Sequence, residues 1–314
     1  MAQKATIRLE LPYKKELLEW ADFESNKLQL AGFEWYVSGR YCAYYRSLSI
    51  YNTTIHCSPV GRTNNSIWNC EAYGEIVAFS SQPDVKRFIS WSTSFNFLHL
   101  SSESVAIDWR RVFPENTEFH FVKSGSAVVR LDVQLTAHSH KMIHLSASDN
   151  AMIESPDDGA QVKVGEATLW LSKTILRANS IFFKAFFKND FKEKLTGVYE
   201  LKEINLQQFL HFISLLYGLR VRIGDDSVEY LLQLADYFQC DVVIDRCRDY
   251  LLHSAELSSE QRLKLAGRYG FFDVVTVLVQ KMDAAEVKNC DAVAGLSSST
   301  YDILRRRLNE CGQV

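Results

Sequence analysis

No apolar block of signal-peptide length opens this chain of 314 residues, and none of membrane-spanning length occurs within it. That absence predicts a protein kept in a reducing interior, cytoplasmic or nuclear, with no membrane partner. Paired cysteines are missing too. Seven Cys stand at positions 42, 57, 70, 240, 247, 290 and 311. An odd number without ligand spacing speaks against a disulfide framework or a zinc site and for buried or idle thiols. In such a compartment the N-x-[ST] matches at Asn52 and Asn64 are accidental. Positive charge is not in excess either: Lys+Arg 35 against Asp+Glu 38 gives a formal net charge of −3. No overall field draws phosphates, so nucleic acid is not an expected partner.

The local signatures of catalysis are also absent. There is no H-E-x-x-H helix, P-loop, dinucleotide-type glycine run or G-x-S-x-G elbow. Triads built from distant segments leave no such trace, but the expectation is a protein with no catalytic residues and no cofactor. His138, His140 and His144 form the one cluster with metal-ligand chemistry, and without Cys or carboxylate support they read as solvated linker residues, with no metal. Arg305, Arg306 and Arg307 read as a charged turn at the end of a last helix rather than as an import signal.

What is present suffices for two globular cores. Hydrophobic residues make up 47% and charged residues 23%, close to the globular average, and single cores stop growing near 250 to 300 residues. From residue 7 to about 136 the pattern has period two. Ile7, Leu9 and Leu11 alternate with Arg8 and Glu10, and Val129, Leu131, Val133 and Leu135 with Arg130, Asp132 and Gln134. Phe33 to Val37, Leu48 to Tyr51, Ile67 to Ala72, Ile76 to Phe79, Phe95 to Leu100 and Phe119 to Val122 add further short strands, a β-sandwich pattern. Trp20, Trp35, Trp68 and Trp109 are expected in its core. Residues 137–156 lose both periods and read as a linker.

Beyond the linker the period is helical. Leu206, Phe209, Leu210, Ile213, Leu216 and Tyr217 share a face, with Asn205 placed to cap it. Val228, Leu231, Leu232, Ala235 and Phe238 form a second amphipathic helix, and Val243, Ile244, Cys247 and Leu251 a third. Ser258 with Gln261 makes a capping box ahead of Leu263, Ala266 and Tyr269, and Gly270 stops that helix. A further helix carries Val275, Val279 and Met282. Strands are expected only at Gln161 to Val164, Thr168 to Leu171 and Val198 to Leu201, so this half is mixed α/β.

Within it, Val162 and Val164, Thr168-Leu169-Trp170-Leu171-Ser172-Lys173, Ile175-Leu176 and the aromatic run Ser180 to Lys194 follow in order. Tyr199-Glu200-Leu201, the Phe209 helix ending at Leu216-Tyr217, Leu231 to Phe238, Cys247 and Leu251 come next. This order resembles the BTB (POZ) domain over roughly 100 residues. Ser172 stands where that family commonly has His before Lys173, and its opening Asp corresponds to Asp157 or Asp158. The first half resembles a MATH (TRAF-like) domain through Gly32-Phe33-Glu34-Trp35, Leu48 to Tyr51, Trp68 to Ala72, Asp108-Trp109 with Val112-Phe113, and the closing strand. Glu103-Ser104-Val105 falls where relatives carry a Trp-Gly step, and groove residues are not assigned.

The resemblance implies a multidomain β plus α/β chain. It has a MATH β-sandwich over 1–136, a linker over 137–156, a BTB α/β domain over 157–255 and a C-terminal helical extension over 256–314. It implies a substrate adaptor of a cullin-3 ubiquitin ligase, in which the MATH domain binds substrate proteins and the BTB domain forms a homodimer and binds the cullin. Phe191-Lys192-Glu193 matches the hydrophobic-x-Glu element on the loop that faces the cullin, which gives Phe191, Glu193, Tyr217 and Phe187 as cullin-binding residues. Trp170, Ile175, Leu176 and Ile181 are the implied dimer residues. The alternative is a scaffold or transcriptional co-regulator using the same domains without a ligase.

Overall fold

A computed structural model describes residues 2–12, 21–44, 47–62, 65–79, 86–98, 104–107, 128–188, 197–254, 256–291 and 295–311. The chain divides into two compact units, Met1–Ile153 with Leu219–Val221, and Glu154–Gly218 with Arg222–Val314.

In the first unit, β1 (Gln3–Pro12), β6 (Ser66–Phe79), β7 (Lys86–Asn96) and β9 (Val128–His144) form one antiparallel sheet in the order β1-β9-β6-β7. A second sheet runs β2 (Ala21–Glu24), β4 (Phe33–Tyr44), β5 (Ser47–Pro59), β8 (Ser104–Ile107), with β3 (Leu28–Leu30) also paired to β4. The alternation in the sequence does what period two requires: Ile7 and Leu9 are buried opposite Val133 and Leu131. The Trp35 and Phe95 rings meet edge-on at 5.3 Å and those of Phe33 and Trp68 at 5.5 Å, so the two sheets share one aromatic core. Trp35 and Trp68 are fully buried, as expected; Trp20 and Trp109 lie outside the described residues. Truncating either buried ring to Ala would cost about 3–5 kcal/mol.

Three sequence expectations change here. Ile67 to Ala72 and Ile76 to Phe79 are one strand, because the chain passes through Gly74 without turning. A Cβ at Gly74 would sit 1.9 Å from the Gln134 carbonyl oxygen, so only Gly allows this approach beside the register shift at Glu71/Ala72. The strand containing Phe95 ends at Asn96 instead of Leu100. Residues 137–144 are sheet instead of linker, since β9 stays paired with β6 as far as His144↔Ser66. The polar residues that obscured this sit at the surface: His138 faces Glu71 at 3.3 Å, and His144 Nδ1 shares a hydrogen bond with Ser66 Oγ at 2.9 Å. Among the described residues no group of three or more His, Cys, Asp or Glu is placed to hold a metal ion. The expected strand at Phe119 to Val122 lies outside the described residues.

The second unit opens with the hairpin β10 (Gly159–Val164) and β11 (Ala167–Ser172), and β12 (Val198–Leu201) joins β10 in parallel. Helices α1 (Lys173–Asn179), α2 (Ile181–Phe186), α3 (Leu206–Leu216), α4 (Val228–Tyr237) and α5 (Asp241–His253) surround a core of aromatic rings. Phe183 stacks on Phe238 at 4.9 Å, and Phe212 and Phe209 reach the same ring at 5.2 and 5.8 Å. Asn205 caps α3 by accepting from the Gln208 N–H at 3.1 Å. Cys247 is buried in this core, which pushes its thiol up to about 12 and leaves it inert.

Helices α6 (Ser259–Arg268), α7 (Phe272–Lys281), α8 (Ala284–Asp291) and α9 (Ser298–Cys311) follow. The Ser258/Gln261 capping box is formed, and Gly270, at φ +72°, turns the chain after α6. Arg262 fastens this extension to the preceding helix: its guanidinium donates to the Leu251 and Leu252 carbonyls at 2.6 and 2.7 Å, satisfying acceptors at the end of α5. Arg248 on α5 pairs with Asp273 on α7.

Candidate protein-interaction surfaces

The turn from β11 into α1 is fixed by a buried polar network. Ser172, at the end of β11, donates its N–H to the Tyr217 hydroxyl at 2.9 Å and accepts at Oγ from the Ile175 N–H at 3.2 Å, which caps α1. Asp158 accepts from the Thr174 and Glu154 N–H groups at 2.8 and 3.3 Å, and its carbonyl accepts from the Lys173 N–H at 2.8 Å. Of the two candidate opening aspartates, Asp158 is the buried one, while Asp157 offers its carbonyl to Lys173 Nζ at 2.9 Å. Burial disfavours the charged form of Asp158, but hydrogen bonds from Thr174, Ser172 and Glu154 outweigh it and hold the carboxyl below its usual range. Burial raises the Tyr217 phenol, which therefore stays neutral.

This network corrects one expected contact residue. Tyr217 is only 2% exposed, and its hydroxyl is spent inside the unit, so it supports the surface without belonging to it. Leu176 is likewise fully buried and packs inside the monomer, because it falls on the inner face of the short helix α1. The other expected dimer residues reach the surface to different degrees. Trp170, on the outer strand of the three-stranded sheet, is half-buried with its ring beside Gly159, where a Cβ would lie 3.5 Å from the ring. Ile175 is half-buried and Ile181 is 64% exposed.

Helix α2 begins at Ser180, whose Oγ accepts from the Phe183 N–H at 3.0 Å and donates to the Phe238 carbonyl. Its aromatic run supplies two faces. Phe183 points into the core, while Phe186 and Phe187 continue outward onto Tyr199 of β12, at 5.4 and 4.9 Å. Phe187 is half-buried, stacked 5.8 Å from Phe183. Phe191 and Glu193, three and five residues past the last described residue of this segment, lie outside the described residues. The sequence reading missed Phe182, which stacks on Phe186 at 5.2 Å and packs at 5.4 Å against Tyr237, an exposed ring at the end of α4. Its signal was in the run Ile181-Phe182-Phe183, since adjacent helical residues point about 100° apart and, with Phe183 inward, Phe182 falls at the edge of the core, where it touches both Phe238 and the exposed Tyr237.

Comparison with known proteins fits this arrangement. Residues 159–255 match the BTB/POZ domain family. BTB and MATH domain-containing protein 38 of Caenorhabditis elegans is 24% identical over 71% of this chain, a match that takes in 56% of that relative's length. BTB and MATH domain-containing protein 36 of the same organism is 20% identical over 97% of this chain and 96% of its own. Human Kelch repeat and BTB domain-containing protein 3 is 28% identical over 38% of this chain and 20% of its own length. Residues 159–255, built on the β10–β11 hairpin, are thus a BTB/POZ domain, and the chain as a whole, with its antiparallel sandwich ahead of that domain, is similar to the BTB and MATH domain-containing proteins.

Proposed function

We propose that this protein is a substrate adaptor of a cullin-3 ubiquitin ligase. The sandwich captures a target protein, the BTB domain forms a homodimer and holds the cullin, and the adaptor itself makes and breaks no covalent bond. Its contribution is effective concentration: a target tethered beside the ubiquitin carrier reacts as an intramolecular partner, and a dimer adds avidity. The observation that carries the reading is the aromatic ledge of Phe186, Phe187 and Tyr199, half-buried rings of which Phe187 precedes Phe191-Lys192-Glu193 by four residues in the sequence. An apolar anchor beside one acidic residue is the composition of an interface hot spot, in which the ring enters a cleft and the carboxylate meets its polar rim. Trp170, Ile175 and Ile181 remain as the proposed dimer contacts.

The test is capture of a purified cullin-3 N-terminal region. Phe191→Ala or Glu193→Ala is expected to weaken it about thirtyfold, the equivalent of about 2 kcal/mol, with thermal stability unchanged. No binding by the wild-type protein at tens of micromolar would end the adaptor reading and leave the scaffold or co-regulator alternative in its place. A Phe191→Ala loss of stability as large as that of a core truncation would put Phe191 in the interior.

A further inference from the structure

Within the second unit, α4, α6 and the turn that leads into α9 line a cleft of about 480 Å³, inside the range of small-ligand sites, roughly 300–1,000 Å³. Leu257, Leu265 and Leu296 give it an apolar lining, and Leu257 and Leu296 are nearly buried. Its two charged flanks come from different helices and carry opposite sign. Asp225 lies just ahead of α4 and Glu229 in its first turn, while Lys264 and Arg268 stand one turn apart on α6. At one level the flanks meet directly, since Arg268 donates to Glu229 at 3.3 Å. Four residues earlier on each flank they do not. The Asp225 carboxylate accepts from the Tyr250 hydroxyl, and Lys264 pairs with Glu260 on its own helix. Among the described residues no bond joins Asp225 to Lys264.

We propose that this cleft binds a small zwitterion with an apolar body, of the class of short apolar peptides with free termini. The ligand's ammonium group meets Asp225, its carboxylate meets Lys264, and its side chains cover the leucines between them. The Lys264–Glu260 pair does not stand in the way, because an exposed pair within one helix is weak and exchanges readily. A ligand of a single sign meets like charge on one flank, so only a dipolar one satisfies both.

The experiment is isothermal titration calorimetry of the full chain with the dipeptide leucyl-leucine, its N-acetyl form and its C-terminal amide. The free dipeptide is expected to bind with a dissociation constant below about 1 mM, and each blocked form about tenfold more weakly. Asp225→Asn is expected to weaken the free dipeptide about tenfold and to leave the acetylated form, which has no ammonium group, unchanged. Lys264→Gln is expected to weaken the free dipeptide by the same factor and to leave the amide unchanged. Melting temperatures at the wild-type value in both variants would separate a lost contact from a lost fold. No heat at about 10 mM free dipeptide, blocked forms that bind as tightly as the free one, or variants that bind it as well as wild type would overturn the proposal.

Discussion

Removing one oxygen tests whether Tyr217 is structural. In Tyr217→Phe the ring and its packing are kept, while the Ser172 N–H loses the acceptor 2.9 Å away. Both residues are almost wholly buried, with Ser172 at 1% and Tyr217 at 2% exposure, so water cannot replace the lost partner. A single intramolecular hydrogen bond is worth about 1 kcal/mol net, but an orphaned buried donor costs about 1–3 kcal/mol. The expected loss is therefore about 2 kcal/mol, which for a unit of this size lowers the melting temperature by about 4–8 °C. Differential scanning calorimetry with near-ultraviolet circular dichroism would follow it, since the second reports aromatic packing directly. Cullin capture at a temperature where the variant is folded is expected to match wild type. A variant as stable as wild type would refute the hydrogen-bond account, and selective loss of capture in a fully stable variant would return Tyr217 to the contact surface.

Two further outcomes follow from the same unit and its boundary. Because the folded Asp158 carboxyl lies below its ordinary value of 3.8, the stability it adds is complete above that value. It is lost as pH falls through the lower folded value. Denaturant midpoints are expected to show wild type and Asp158→Asn converging in that acid range and diverging at neutral pH; a constant difference would sink the assignment. Proteolysis tests the boundary: Lys141 sits within the paired part of β9, so trypsin is expected to spare it, whereas a glutamate-specific protease is expected to cut first at exposed Glu154 and release two folded fragments. Early cleavage at Lys141 would mean that the end of β9 is not held in the sheet.

Much of this architecture is legible in the sequence because most of its elements are amphipathic. Ile7 and Leu9 declare their face by alternation, and Phe209 and Ile213 by helical spacing, since in both cases one side meets a core and the other water. The end of β9 was illegible for the opposite reason. From His138 to His144 its polar side chains lie at the surface, with His138 facing Glu71 and His144 bonded to Ser66 across the sheet, so the strand has linker composition. Tyr217 misled differently: its place in a familiar motif implied a surface role, while only the register of α3 and the Ser172 backbone show that its hydroxyl is turned inward. The meeting of Ile181 with the turn at Gln239 could not be read at all, because it joins α2 to a turn almost sixty residues later in the chain.

The pairing of β1 with β9 has a consequence for synthesis. Ile7 meets Val133, so roughly 125 residues separate the first strand of the sandwich from its partner, and at ~5–20 residues per second translation takes about 6–25 s to supply it. Throughout that interval β1 and the long strand β6 each lack a neighbour, presenting open edges of ten and fourteen residues in the crowded surroundings of the ribosome. The helical unit faces no such delay, since its β10–β11 hairpin closes between residues only a few positions apart. The nascent chain therefore needs protection at its N-terminal half, where an idle edge is most readily captured by the same edge of a neighbouring nascent chain.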